Sequence, residues 1–135
     1  MEDMYINHWA VLSAAVFNLI LGAIWYSPTL FYSAWKSANN LSDDDLKGQK
    51  PAKVYGLSFL LSLIMCYNMA MFLGEESTDW IWGLSAGFLT GFGWAAVIFI
   101  VIALSEMRSL KYILINSGFI ILYFTSVGLI IGLWR

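Results

Sequence analysis

Charge is what this chain has least of. Only 12% of its 135 residues are Asp, Glu, Lys or Arg, against about 25% in an ordinary soluble domain. A soluble domain of this length exposes a large share of its surface, and a chain that is 60% apolar has too few polar groups to cover it. Cysteine is equally scarce. Cys66 stands alone inside an apolar run, which excludes a disulfide within the chain and a cysteine metal cluster, so it reads as a small buried hydrophobe. His8 is the one histidine, and no Ser–His–acid set, paired carboxylates or second metal ligand converges on it. No enzyme chemistry, metal or cofactor is therefore expected. A net charge of −2 with no basic face gives no reason to expect nucleic acid.

What is present is long and apolar. Met4–Trp35, Val54–Gly74, Trp80–Ser105 and Tyr112–Trp134 carry no charged residue, and each reaches the roughly 20 residues that a helix needs to cross a bilayer core. They lack the period-two alternation of barrel strands. The expected fold is all-α: one integral membrane four-helix bundle over residues 1–135, with spans near 5–27, 54–74, 80–105 and 111–134. Glu2 and Asp3 stand where a signal peptide would be basic, and no small-x-small cleavage site follows, so the first run is expected to be retained. Lys36, Lys47, Lys50, Lys53, Arg108 and Lys111 lie on one side of the spans; Arg135 is the one basic residue on the other. By the positive-inside rule the loop 28–53 faces the cytoplasm and both termini face outward.

The stretch "GAIWYSPTLFYSAW" from Gly22 to Trp35 marks the inner end of the first span. Trp25 and Tyr26 suit the membrane interface, where one ring edge stays wet. Pro28 disfavours helical geometry at Ser27 and breaks the ladder. Phe31 and Trp35, one helical turn apart, predict a short interfacial helix, making Tyr26, Pro28, Phe31 and Trp35 the interface anchor. Farther on, Ser42 and Asp45 have N-cap and third-position spacing, which predicts a helix start at Asp43 rather than a metal loop.

The pieces "LGAIWYSPTLFYSAW" and "LKYILINSGFIILYFTSVGLIIGLW" resemble the two ends of a bacterial four-span membrane family catalogued as domain of unknown function 1761. Gly22, Trp25, Tyr26, Pro28, Phe31, Trp35 and the "INSGF" of 115–119 carry the resemblance, which extends over essentially the whole chain. It implies the four-helix topology and brings no activity, substrate or catalytic residue.

No charged residue lies within the core of any span, which counts against a proton-coupled exporter working through a membrane carboxylate. The polar residues inside the spans are neutral. Asn18, Gly22 and Trp25 share one helix face, and Tyr112, Asn116 and Tyr123 share another. If the faces meet, Asn18, Trp25, Tyr112 and Asn116 line an inward-opening polar pocket, with Tyr123 above it. The alternative is that the asparagines only tie neighbouring helices together. Trp94, near the middle of the third run, needs an acceptor or a cavity for its indole N–H. Gly83, Gly87 and Gly91 repeat every fourth residue, as do Gly128 and Gly132, and such stripes let helices approach closely. Their packing partners, within the chain or in another copy, are open at this stage. The leading functional expectation is a structural or accessory unit that self-associates or joins a larger membrane complex. The alternative is a transporter, channel or binder of a small neutral or amphipathic molecule, with the lipid bilayer as partner in either case.

Overall fold

A backbone in hydrocarbon has no water to bond, so each long apolar run must satisfy its own peptide groups. All four runs are helical in the computed structural model, which describes residues 4–134. Glu2, Asp3 and Arg135, used in the charge argument, lie outside the described residues. The helices are α1 (His8–Trp25), α2 (Tyr32–Ala38), α3 (Asp43–Lys47), α4 (Pro51–Phe72), α5 (Trp80–Thr90), α6 (Val97–Ser105) and α7 (Leu110–Leu133). A π-helical segment, Gly91–Ala96, joins α5 to α6 so that the two form one continuous span. No strand occurs among the described residues.

Local chemistry accounts for the helix ends. Asn7 caps α1 by accepting from the backbone N–H groups of Trp9 and Ala10, and its Nδ2 donates to the Trp134 carbonyl, tying the start of α1 to the end of α7. Asp79 and Ser109 cap α5 and α7 in the same way. α1 stops at Trp25, before Pro28. α4 begins at Pro51, three residues ahead of its charge-free run, because proline at the first helical position is pre-organised and lacks only an N–H that would be orphaned anyway. Ser42 and Asp45 form a reciprocal capping box at α3. The Ser42 backbone N–H and hydroxyl both donate to the Asp45 carboxylate and hold it below the usual carboxylate range.

α7 is the hub, touching α1, α2, α4, α5, the π segment and α6. Its tightest contact is with α5, and glycine makes that contact possible. A Cβ at Gly83 or Gly128 would run into the other's carbonyl oxygen, and one at Gly87 into the carbonyl of Phe124. At Gly132 it would come to 2.8 Å from the Asp79 carbonyl, and at Gly91 to 2.8 Å from the Phe124 Cβ. The two glycine stripes therefore face each other within one chain. α1 packs against both α4 and α7, with Val11, Ala14, Ala15, Cys66, Leu73 and Val127 in the core.

The connection after α1 is more than an interfacial strap. The Phe31 N–H donates to the Trp25 carbonyl and the Tyr32 N–H to that of Ser27, which folds the chain back so that α2 docks on α7. α2 and α6 both end in Schellman motifs: Leu41 N–H bonds to Lys36 and Arg108 N–H to Ala103. Each motif places one residue in the left-handed region, Asn40 at φ 54° and Met107 at φ 57°. Asparagine tolerates that conformation, whereas methionine is strained there.

Three stability outcomes follow from these contacts. Gly83→Leu or Gly87→Leu should lower the thermal midpoint in detergent, with a loss of about 3 kcal/mol because backbone cannot yield to the new side chain. Gly56 has open space around its Cα, so Gly56→Ala should instead raise stability by about 0.5–1 kcal/mol. Met107→Gly should raise it by about 1 kcal/mol through relief of the left-handed strain, since the side chain is solvent-facing and makes little contact.

Candidate functional site

Four polar side chains meet where α1 passes between α4 and α7. Tyr123 donates its hydroxyl to Ser62 Oγ at 2.7 Å. Asn18 Nδ2 donates to the same oxygen at 3.4 Å and approaches Cys66 Sγ at 3.9 Å. With both Ser62 lone pairs taken, its own hydrogen is directed at Cys66 Sγ, 4.0 Å away. Asn18 is only 3% exposed, and its Oδ1 has no hydrogen-bond partner. Native proteins rarely leave a buried polar atom unpaired.

Asn18, Ser62 and Tyr123 of this cluster form the floor of a groove of about 420 Å³, within the size range of small-molecule sites. Leu19, Gly22, Ala23 and Tyr26 of the α1 segment form one wall, Val54, Tyr55, Ser58 and Leu61 of α4 the other, and Phe119 and Tyr123 the back. Gly22 matters here for room, because its missing side chain leaves space against the Phe119 ring. None of the lining residues is charged.

The expected pocket is thus divided. Asn18 and Tyr123 are brought together, joined by Ser62 and Cys66, which the sequence reading had not assigned to the site. Trp25 and Asn116 belong to a separate set of ties between α1 and α7. Trp25 Nε1 donates to the Ile115 carbonyl at 3.0 Å, its ring lying against Gly118 and meeting Phe31 at a tilt of 42° with ring centres 4.6 Å apart. Tyr26 donates its hydroxyl to Asn116 Oδ1 at 2.5 Å, and its ring meets Phe119 and Trp35 edge-on. Tyr112 packs on Phe99 of α6, with the Arg108 guanidinium 4.8 Å from its ring centre, and its carbonyl accepts from Asn116 Nδ2. Spacing along one helix shows which residues share a face, but the helix that crosses that face decides their partners. Ser62 and Cys66 share a face of α4 by their i, i+4 spacing, the one sequence signal that pointed to them.

Trp94 lies elsewhere. It is 77% exposed and lines a second groove of about 410 Å³ between α4 and α5, with Asn68, Phe72, Trp82, Thr90 and Phe124. Two of the polar side chains of that groove bond within their own helices, Asn68 to the Ile64 carbonyl and Thr90 to that of Ala86. His8 pairs with the Tyr67 hydroxyl at 2.9 Å at the end of the bundle away from the lysines. Among the described residues no group of three or more His, Cys, Asp or Glu is placed to hold a metal ion.

Four apolar helices around a polar-floored groove define a multi-pass α-helical membrane protein. The chain belongs to the family described as "Protein of unknown function (DUF1761)", whose model matches residues 9–132. No curated protein and no solved structure matches it.

The Tyr26–Asn116 tie should be measurable on its own. A double-mutant cycle on Tyr26→Phe and Asn116→Ala, read by thermal unfolding in detergent, should give a coupling of about 0.6–1 kcal/mol. Additive losses would mean that the bond contributes nothing to stability.

Proposed function

We propose that this protein is a binding unit of the bilayer rather than an enzyme, taking a small uncharged or amphipathic molecule from the membrane into the groove between α1, α4 and α7. The observation that carries this reading is the polar floor of that groove, Asn18, Ser62 and Tyr123, set in a largely apolar lining. Buried polar groups in hydrocarbon are costly, and in membrane proteins they commonly mark the path or seat of a ligand. An assembling or accessory unit, joined to copies of itself or to a larger complex, was motivated by the glycine stripes. Those stripes lie against each other inside one chain, so binding ranks above assembly. The setting we propose is a bacterial cytoplasmic membrane, and the distribution of lysine supports an orientation with the loop between α1 and α4 inside and both termini outside.

Native mass measurement of the protein extracted in mild detergent tests the binding reading. A retained small-molecule adduct should appear on the wild type and be lost on Ser58→Phe, which fills the groove mouth without touching the Asn18 cluster. Adducts equal on both proteins, or absent from both, would overturn the groove as a binding site. The same spectrum reports whether the chain travels alone or with partners.

A further inference from the structure

We propose that the lysine-bearing end of α4 seats an anionic phospholipid, its headgroup phosphate held by Lys50 and Lys53 and one acyl chain lying along the exposed apolar ridge that follows them. The proposal goes beyond the groove reading and does not depend on it, since the α1–α4–α7 groove has no charged residue in its lining.

Most charges at this end of the bundle already have partners. Lys36 pairs with Asp43, Lys47 with Asp44 and Arg108 with Glu106, and the Asp45 carboxylate is held by Ser42. Among the described residues Lys50, Lys53 and Lys111 have no carboxylate partner. Of these three, Lys50 and Lys53 line one hollow of about 380 Å³ together with Gly48, Gln49, Val54 and Leu57, and Lys111 does not. Both are exposed, and three residues apart they leave α4 on one face. Two ammonium groups at the edge of one hollow suit a single phosphate, which accepts charge-assisted hydrogen bonds from both.

The apolar side of the hollow selects the rest of the ligand. Val54 and Leu57 are exposed, and Leu61 and Ile64 continue the exposed stripe; steps of three and four residues keep all four on one face of α4. From Lys53 to Ile64 the helix rises about 16 Å at 1.5 Å per residue, roughly half the thickness of a bilayer core. The ridge thus runs from headgroup level to the bilayer middle, the depth that one acyl chain occupies. A soluble phosphate would use only the lysines, and an uncharged lipid only the ridge. A zwitterionic phospholipid carries its own cation beside the phosphate, which competes with the lysines. An anionic phospholipid uses both halves of the site.

The probes are dioleoyl phosphatidylglycerol and dioleoyl phosphatidylcholine, identical in their chains and different in headgroup charge. They are mixed in equal amounts with the detergent-solubilised protein, and the retained lipid is counted by native mass measurement. Each lysine near an anionic headgroup contributes about fivefold in affinity, so the wild type should favour phosphatidylglycerol about 25-fold. Lys50→Gln with Lys53→Gln should bring the two lipids close to parity; both lysines are exposed and unpaired, so the variant should fold. Arg108→Gln with Lys111→Gln removes two positive charges from the other basic loop and should keep the preference. If that control loses it equally, net charge alone attracts the lipid and α4 holds no site. Equal retention of the two lipids by the wild type would overturn the proposal outright. Glycerol 1-phosphate, the headgroup chemistry without chains, should leave the thermal midpoint unmoved where phosphatidylglycerol raises it; an equal rise would make the ligand a soluble anion and not a lipid. Ser58→Phe fills the groove and should leave the lipid preference intact, so failure of the groove reading and failure of this one are distinguishable.

Discussion

The close backbone contact of α5 with α7 is the constraint on which the rest of the structure depends. Lipid is as apolar as leucine, so nothing drives two apolar helices together except packing, hydrogen bonds and the freedom of the lipid. Gly83 and Gly128 let the two backbones touch, and Gly87 and Gly91 continue that contact for two turns to one side, Gly132 for one turn to the other. α5 is accordingly committed to α7, and α7 turns its remaining faces to α1, α2 and α4.

The two grooves follow from this arrangement. Because α5 sits on α7 rather than on α4, a gap opens between α4 and α5, with Trp82 and Trp94 on its rim. Because α1 wedges between α4 and α7 at small residues, Ala14, Ala15 and Gly22, its neighbouring turns are free to hold Asn18 against Ser62 and to leave space below Tyr26. The grooves are alike in volume and differ in chemistry. In the α4–α5 groove Asn68 and Thr90 bond back to their own helices, as isolated serines, threonines and asparagines in helices tend to do. In the α1–α4–α7 groove the bonds run between helices and stop one short at Asn18. The seam also has an end: beyond Gly91 the helix widens into a π segment, and Gly93 meets nothing across the gap. π segments of this kind recur at functional sites.

Much of the secondary structure was legible in the residues. Four charge-free runs became four long helices, and the Ser42–Asp45 spacing became a capping box. Tyr26 and Trp25 were legible as interface aromatics but not as the paired donors they are, since the Ile115 carbonyl and Asn116 lie some 90 residues away in the chain. The short helix expected after Pro28 is α2, and what the residues did not show is that it docks on α7, held by the Trp25 and Ser27 carbonyls.

The sequence by itself determined where helices run and which ends are wet, because hydrocarbon tolerates only a backbone that pairs with itself and charge stays in water. It also placed Asn18 on a face with Gly22 and Trp25, by periodicity alone. Only the tertiary structure decided that α7 is shared by every span, that the two glycine stripes meet each other, and that Asn18 looks across at Ser62 and Cys66 rather than at Asn116. Apolar helices in lipid have many near-equivalent faces. Which face meets which is decided by the few places where two backbones can come close enough to touch.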